Sequence, residues 1–184
     1  MDILIRELRA GDDGCGTNID GSFIVDSTLV LQLTGQRIGY TVKESPLRNK
    51  SYDDEPLEED TVEDYSNYIG DPHQIIYVAL VNNQIVGKIV LKRNWNKYAY
   101  VEDIKVDKQY RGYGVGKKLI EQAKRWTKDG GMTGIMLETQ SNNVRACKFY
   151  ESCGFVIGGF DSYVYRGLDK DSDEVAIYWY LMLD

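Results

Sequence analysis

The stretch Arg111-Gly112-Tyr113-Gly114-Val115-Gly116 decides the fold class of this chain. It follows a β-rich run that ends at Val106 and precedes a run with helical spacing that ends near Lys128. The N-terminus of a helix presents unpaired backbone N–H groups and the positive end of the helix dipole, so such a turn favours an anion. Glycines let the backbone approach phosphate oxygens without a Cβ in the way. The stretch therefore predicts a phosphate-binding turn between a strand and a helix.

Two familiar phosphate motifs fail on spacing. A P-loop needs glycine where Arg111 stands and Ser or Thr where Lys118 stands. A dinucleotide motif that starts at Gly112 needs a third glycine at the position of Lys117. On the hexapeptide alone, one alternative stays open, a glycine-rich turn that only caps a helix.

Elements on both sides of this turn follow from hydrophobic periodicity and turn residues. The order is a meander of strands followed by alternating helices and strands. It predicts an α/β (α+β mixed) fold, with a central mixed, mostly antiparallel β-sheet flanked by helices. We expect strands at Ile3–Ile5, Ser22–Leu33, Arg37–Val42, Ile75–Val81, Gln84–Lys92, Tyr98–Val106, Gly134–Glu138, Phe155–Tyr165 and Val175–Met182, and helices at Thr61–Ile69, Gly114–Lys128 and Asn143–Ser152.

The chain has 184 residues, a length that fits one domain with a sizeable core. We expect a single domain with three parts: N-terminal strands and a hairpin (1–50), an acidic segment with a short helix (51–72), and a core (73–184). No apolar run approaches the length of about 20 residues that spans a bilayer. Charged residues near the N-terminus interrupt any signal-peptide core, so we expect a cytoplasmic protein that does not act at a membrane.

Cysteine and histidine are too sparse for several kinds of site. The cysteines are Cys15, Cys147 and Cys153, an odd set without a C-x-x-C spacing, which argues against a disulfide framework and a zinc site. The one histidine, His73, stands next to Pro72 in a loop-like stretch. We expect no metal.

The formal net charge of −7 has a regional source. Between Ser51 and Gly87 there are nine acidic residues and no Lys or Arg, and eight of the acids lie between Asp53 and Asp64. The rest of the chain is near neutral and shows no basic face, so we expect no nucleic-acid partner. The acidic run is either a solvated loop or a feature that attracts a cation.

Once the spacing is read as Arg-x-x-Gly-x-Gly, it resembles the pyrophosphate-binding signature of the GNAT superfamily of N-acetyltransferases. A second stretch, Asn143-Val144-Arg145-Ala146-Cys147-Lys148-Phe149-Tyr150 with Gly154-Phe155 after it, resembles the superfamily's Asn-x-x-Ala…Tyr…Gly-Phe pattern. This resemblance implies a GNAT fold and acetyl-CoA as co-substrate. The cofactor-binding residues that it implies are Ile104, Lys105, Val106, Arg111, Gly112, Tyr113, Gly114, Val115, Gly116, Lys117, Thr139, Asn143, Ala146, Phe149 and Tyr150.

The same resemblance implies the catalytic residues. In this superfamily the amine attacks the thioester directly, so Cys147 and Cys153 are expected to pack rather than to catalyse. Tyr150 matches the tyrosine that protonates the leaving sulfur; the alternative is an ordinary helix residue. Glu102 is the candidate base or ammonium binder. Strand alternation predicts that Glu102 and its neighbour Asp103 point to opposite faces. The alternative is that both carboxylates are structural and water carries the proton.

Longer stretches resemble the streptothricin acetyltransferases, which acetylate an amine on the β-lysine arm of a polycationic antibiotic and so confer resistance. They are Ser51-Tyr52, Asn94 to Ile104, Leu137-Glu138-Thr139-Gln140 and Ala176 to Leu181. The implied partner is a cationic small-molecule amine. The implied substrate-binding residues are Tyr52, Asp53, Asp54, Trp95, Tyr98, Tyr100 and Glu102.

Several alternatives stay open at this point. The acceptor is streptothricin, another polyamine, an aminoglycoside or a protein amine. From a different class, the chain is a regulatory GNAT domain that binds CoA without catalysis. GNAT domains often pair, so the aromatic tail Tyr178-Trp179-Tyr180 belongs either to the core or to the interface of a homodimer.

Overall fold

The computed structural model describes residues 1–12, 19–51 and 65–183. Within this part of the chain the strands are β1 (Leu4–Glu7), β2 (Phe23–Thr34), β3 (Arg37–Lys50), β4 (Gln74–Val81), β5 (Gln84–Arg93), β6 (Ala99–Val106), β7 (Gly134–Gln140), β8 (Val156–Asp161) and β9 (Ala176–Met182). The helices are α1 (Val115–Asp129) and α2 (Val144–Ser152).

These elements form two compact units. The first contains Met1–Ser22, Ser51–Ile135 and Leu183–Asp184, and the second contains Phe23–Lys50 and Met136–Met182. The expectation of a single domain stays a prediction.

The first unit contains an antiparallel sheet in the order β1-β4-β5-β6. Asn82 and Asn83 join β4 to β5 with positive φ values of 49° and 64°, a conformation that asparagine tolerates well. On one face of this sheet, α1 packs closely because Gly87 of β5 has no Cβ. A Cβ there would lie 3.2 Å from Val115 and 2.9 Å from the Lys105 carbonyl oxygen.

The opposite face of the same sheet carries an apolar cluster. Ile76, Val78 and Leu80 of β4 pack with Val90 of β5 and with Leu8. The half-buried rings of Tyr65 and Tyr68 pack against this cluster. Burial of these aliphatic side chains stabilises the unit through the hydrophobic effect, by about 1.5–3 kcal/mol for each large side chain.

The second unit contains a long hairpin and a second group of strands. β2 and β3 pair antiparallel around a tight turn at Gly35, which has a φ of 64°. The strands β7, β9 and β8 are neighbours in that order, and β8 and β9 are antiparallel. The α2 helix lies after β7, and the fully buried Trp179 of β9 supplies the largest core side chain.

The predicted fold class is confirmed, and most predicted elements lie within two residues of their observed bounds. Three predictions were wrong in extent. The strand predicted to end at Val42 continues to Lys50, because an irregularity in the pairing of β2 with β3 accommodates Pro46, which has no N–H to donate. The strand predicted to reach Tyr165 ends at Asp161, whose carboxylate accepts hydrogen bonds from the N–H groups of Tyr163 and Val164.

The predicted helix Thr61–Ile69 is the third difference. Its described part holds only a single 3-10 turn at Ser66–Tyr68, which no side chain caps. Residues 61–64 lie outside the described part of the chain. Among the described residues, no helix is long and apolar enough to cross a membrane.

Candidate active site

The predicted anion-binding turn leads into an uncapped helix. Gly112 and Gly114 have φ values of 83° and 88°, in the left-handed region that favours glycine. Gly114 is the N-cap of α1, and in the described part of the chain no side-chain hydrogen bond caps this helix. Apart from each glycine and its chain neighbours, no heavy atom of the described residues lies within 4 Å of the Cβ positions of Gly112 and Gly114. The turn therefore presents backbone donors toward open space, as a phosphate site requires.

Arg111 has a different environment from the one that its motif suggests. Its guanidinium donates to the backbone carbonyls of Val106 (3.0 Å), Ser22 (2.7 Å) and Asp20 (3.3 Å). It therefore ties the end of β6 to the segment before β2. Lys117, the third residue of α1, is exposed.

A second contact holds that segment in place. The Asp20 carboxylate forms an ion pair of 2.5 Å with Lys108, and its other partner is Ser22. The hydrogen bond from Lys108 lowers the pKa of Asp20 well below its usual range. Lys108 and Arg111 therefore both bind the segment Asp20–Ser22, and these contacts fix the connection between β6 and α1.

A β-bulge changes the direction of the two carboxylates of β6. Asp103 pairs with Val90 of β5, but Val101 pairs with Leu91, so Glu102 is an extra residue without a partner across the strands. The Glu102 carboxylate accepts a hydrogen bond from the Lys92 ammonium and another, of 3.0 Å, from the Tyr68 hydroxyl. The Asp103 carboxylate lies 3.4 Å from Lys88.

The expectation that Glu102 and Asp103 point to opposite faces is therefore wrong. Lys88 and Lys92 are four residues apart on β5 and share a face. Since each carboxylate contacts one of these lysines, both carboxylates lie on that face. The alternation of side chains along a strand does not predict such a bulge, because the bulge depends on the register with the neighbouring strand.

The predicted substrate-binding aromatics have different environments. Tyr100 pairs with Lys92 and shares the face of Glu102, with the Lys92 ammonium 5.8 Å from its ring centre. Tyr98 is half-buried and precedes β6. Trp95 lies in the turn between β5 and β6 and is 91% exposed, so in this structure it is not a core residue. Tyr52, Asp53, Asp54 and the rest of the acidic run lie outside the described residues.

In the second unit, the start of α2 has the features expected from its motif. The Asn143 side chain caps the helix and accepts a hydrogen bond of 3.2 Å from the Ala146 N–H. The Thr139 hydroxyl is buried, accepts from the Trp179 indole N–H (3.0 Å) and lies 3.4 Å from the Cys147 sulfur. Thr139 therefore uses its side chain in the core, which leaves its backbone for any contact with a ligand.

Tyr150 belongs to an aromatic cluster on the buried side of α2. Its ring centre lies 5.6 Å from that of Phe155 and 6.4 Å from that of Trp179, and Phe149 is its neighbour at 5.2 Å. The cluster fixes the position of the ring. Burial raises the pKa of the nearby Cys147 thiol to about 11, so this thiol is protonated at neutral pH, as expected of a packing residue.

Sequence reasoning missed the lysines and tyrosines around the β6 carboxylates. Lys88 is 0% exposed, and its ammonium contacts the Tyr65 hydroxyl and lies 4.7 Å from the Tyr65 ring centre. The available signal was a lysine inside the apolar run Ile85 to Leu91. A lysine is almost never fully buried unless it is paired, so this position called for a buried carboxylate partner. The part of the chain that the structure describes contains no group of three or more His, Cys, Asp or Glu side chains placed to hold a metal ion.

Comparison with known proteins assigns the family. Residues 40–155 match the Acetyltransferase (GNAT) family, which is more than half of the chain. The chain belongs to the GNAT family of acetyltransferases. The predicted family, its mixed α/β fold and its N-acetyltransferase activity are thereby confirmed.

Three similar proteins illustrate the relationship of this GNAT chain to others. A streptothricin acetyltransferase of Escherichia coli is 36% identical over 162 residues, which cover 88% of this chain and 86% of the relative. Streptothricin acetyltransferase A of Bacillus subtilis (strain 168) is 36% identical over 71% of both chains. A solved structure of a Bacillus anthracis (strain Ames) protein assigned as a streptothricin acetyltransferase, in complex with acetyl-CoA, is 58% identical. It covers 100% of this chain and 99% of its own, with a TM-score of 0.88.

Proposed function

We propose that this acetyltransferase transfers the acetyl group of acetyl-CoA to a primary amine on the β-lysine arm of streptothricin. The observation that carries the proposal is the 36% identity to the Escherichia coli streptothricin acetyltransferase over 88% of the chain. The acetyl-CoA bound to the 58% identical Bacillus anthracis protein supports the identity of the donor. Antibiotic resistance is the consequence expected of this activity.

On the donor side, the open turn at Gly112 and Gly114 binds the pyrophosphate of CoA through the N–H groups that begin α1. Backbone groups of Ile104, Lys105 and Val106 hold the pantetheine arm, and a backbone N–H of this strand polarises the thioester oxygen. The guanidinium of Arg111 fixes the connection between this strand and the turn. The Arg111 side chain therefore holds both the strand and the turn of the donor site.

On the acceptor side, the carboxylates on β6 offer hydrogen-bond acceptor oxygens to a cationic substrate, and Lys88 and Lys92 balance their charge. Glu102 and Asp103 lie together on one face, and Tyr65, Tyr68 and Tyr100 surround them. Aromatic rings next to carboxylates favour an organic ammonium group through cation–π contact and ion pairing. The acidic run from Asp53 to Asp64 adds charge that draws a polycation toward the protein.

The chemical step is direct attack of the neutral amine on the thioester carbon. As the C–S bond breaks, Tyr150 protonates the sulfur, which a phenol with a pKa near 10 can do at neutral pH because it carries its proton there. Within its unit, the aromatic cluster around Tyr150 holds the ring in a fixed position. Cys147 takes no part, since its thiol is buried and protonated.

Purified protein tests the proposal directly. Release of CoA thiol is followed with acetyl-CoA and a panel of acceptors: streptothricin, spermidine, an aminoglycoside and a peptide with a free N-terminus. Acetylated streptothricin, identified by mass spectrometry with the modification on the β-lysine arm, is the expected product. Turnover of another amine without streptothricin would move the acceptor to that class. Binding of acetyl-CoA without turnover of any amine would favour a regulatory CoA-binding domain.

A further inference from the structure

The bulge in β6 leaves the two neighbouring carboxylates with different hydrogen-bonding capacity. Both oxygens of Glu102 are engaged, one by Lys92 and the other by the Tyr68 hydroxyl. In Asp103, one oxygen (Oδ2) lies 3.4 Å from the Lys88 ammonium. Among the described residues nothing bonds the other oxygen (Oδ1), and the Asp103 side chain is 32% exposed. Asp103 therefore has an acceptor oxygen that a ligand can reach.

Lys88 holds Asp103 from the buried side. Its ammonium is fully buried and also contacts the Tyr65 hydroxyl and the Tyr65 ring. A buried ammonium is costly unless a carboxylate compensates it, so the ion pair with Lys88 holds the Asp103 carboxylate in one orientation. Asp103 also stands opposite Val90, a member of the apolar cluster. The low polarity of these neighbours strengthens any interaction of its second oxygen with a cation.

We propose that Asp103, rather than Glu102, is the carboxylate that accepts the proton of the attacking amine, and that Lys88 and Tyr65 are its positioning residues. This inference rests on the proposed function, because it assigns a role within that reaction. Asp103 directly precedes Ile104, the first residue of the stretch assigned to the pantetheine arm. Its carboxylate is thus one residue away from the backbone that would hold the thioester.

Each proton that moves in the reaction has a defined donor and acceptor. The ammonium of the acceptor gives one proton to solvent and becomes a neutral amine. When its nitrogen lone pair forms the N–C bond, the remaining N–H groups become strongly acidic, and one proton passes to Asp103. The C–S bond breaks with its electron pair on sulfur, which takes a proton from Tyr150. Solvent then carries the proton of Asp103 away and restores the phenol. The products are the amide, CoA thiol and one free proton.

A set of matched variants separates this role from simple charge compensation of Lys88. The variants are Asp103→Asn, the double variant Lys88→Met/Asp103→Asn, and Glu102→Gln as the neighbouring comparison. For Asp103→Asn we expect kcat to fall by about 100-fold or more, the size of a general-base contribution, with KM for acetyl-CoA within about twofold of wild type. In the double variant we expect the melting temperature to recover toward wild type while kcat stays low.

Chemical rescue gives a second readout that a structural role would not move. Asp103→Ala leaves space for a small carboxylate, so added formate should restore kcat in a concentration-dependent manner, whereas Glu102→Ala should show no such rescue. Recovery of kcat in the double variant would overturn the inference, because it would show that Asp103 only neutralises Lys88. A loss in Glu102→Gln as large as that in Asp103→Asn would also overturn it.

The wild-type protein distinguishes failure of this inference from failure of the proposed function. If wild type acetylates streptothricin and Asp103→Asn keeps its kcat, only the role of Asp103 is refuted. If wild type acetylates another amine, the same variants are measured with that amine, and the same outcomes decide. If wild type acetylates no amine, both the proposed function and the role of Asp103 are refuted.

Discussion

Replacing Gly114 by alanine tests the donor site most directly. Gly114 has a φ of 88°, and beyond its chain neighbours no described residue has a heavy atom within 4 Å of the place where its Cβ would stand. The structural cost is therefore backbone strain alone, about 1–2 kcal/mol for a left-handed residue with a side chain. For a chain of this length, each kcal/mol lowers the melting temperature by about 2–4 °C.

The effect on cofactor binding should be larger than the effect on stability. In the proposed complex, the added methyl group occupies the open space through which the pyrophosphate approaches the N–H groups of α1. Losing one hydrogen bond to a charged group costs about 1.5–3 kcal/mol. Since about 1.4 kcal/mol corresponds to a tenfold change, we expect KM for acetyl-CoA to rise by about 10- to 100-fold.

Gly131→Ala is the matched control. Gly131 lies beyond the other end of α1 with a φ of 64°, and its Cβ position likewise has no heavy atom of a described, non-neighbouring residue within 4 Å. Both variants should lose a similar number of degrees in thermal unfolding, and only Gly114→Ala should raise KM in the thiol-release assay. Equal KM values for the two variants would show that the pyrophosphate does not bind at this turn.

Substitutions at four further positions test other parts of the structure. Arg111→Lys should lower the melting temperature measured by circular dichroism, because a lysine cannot bond all three carbonyls that the guanidinium reaches. Asn143→Ala should cost about 1 kcal/mol in chemical unfolding through loss of the α2 cap, and Asn143→Asp should retain most of that stability. Gly87→Ala should strongly destabilise the protein, since its Cβ would lie 2.9 Å from the Lys105 carbonyl oxygen; unchanged unfolding would contradict this packing. Cys147→Ala should keep kcat, and native Cys147 should resist iodoacetamide at pH 7.

Cys147 also makes a prediction about pH. Burial raises its pKa from 9.0 to about 11 in the folded protein. The unfolded chain therefore releases this proton at lower pH than the folded protein does. The resulting stability is fully present below about pH 9 and is lost as the pH rises toward 11. As the pH rises through that window, the unfolding midpoint of wild type should fall relative to that of Cys147→Ala, whereas the difference between the two midpoints should stay constant below it.

Most of the secondary structure could be predicted because its signals are local. The strands around Asn82-Asn83 and the helix before Gly130-Gly131 follow from periodicity and turn residues, and their predicted bounds lie close to the observed ones. The predicted ends of strands were wrong where a partner strand or a single side chain decides where the strand ends. β3 continues past Val42 because β2 pairs with it, and β8 ends where the Asp161 carboxylate bonds the following N–H groups.

The candidate site also has some features that could be predicted from the sequence and others that could not. The glycine-rich turn and the start of α2 at Asn143 could be predicted, because both depend on short-range backbone geometry. The three backbone carbonyls that bind Arg111 could not be predicted, since two of them lie about 90 residues away along the chain. The shared face of Glu102 and Asp103 was also hidden, because it depends on one extra residue in the register between β5 and β6.

By itself, the sequence determined the family, the order of most elements and the glycine-rich turn between β6 and α1. Two motifs with fixed spacing suffice for this, because glycine geometry, helix caps and hydrophobic periodicity act over a few residues. Only the tertiary structure decided how the turn is held and which carboxylate has an accessible oxygen. Both depend on side chains that meet across strands: Arg111 with the Asp20–Ser22 backbone, and the buried Lys88 with Asp103. Such pairings depend on strand register and burial, and a linear motif encodes neither.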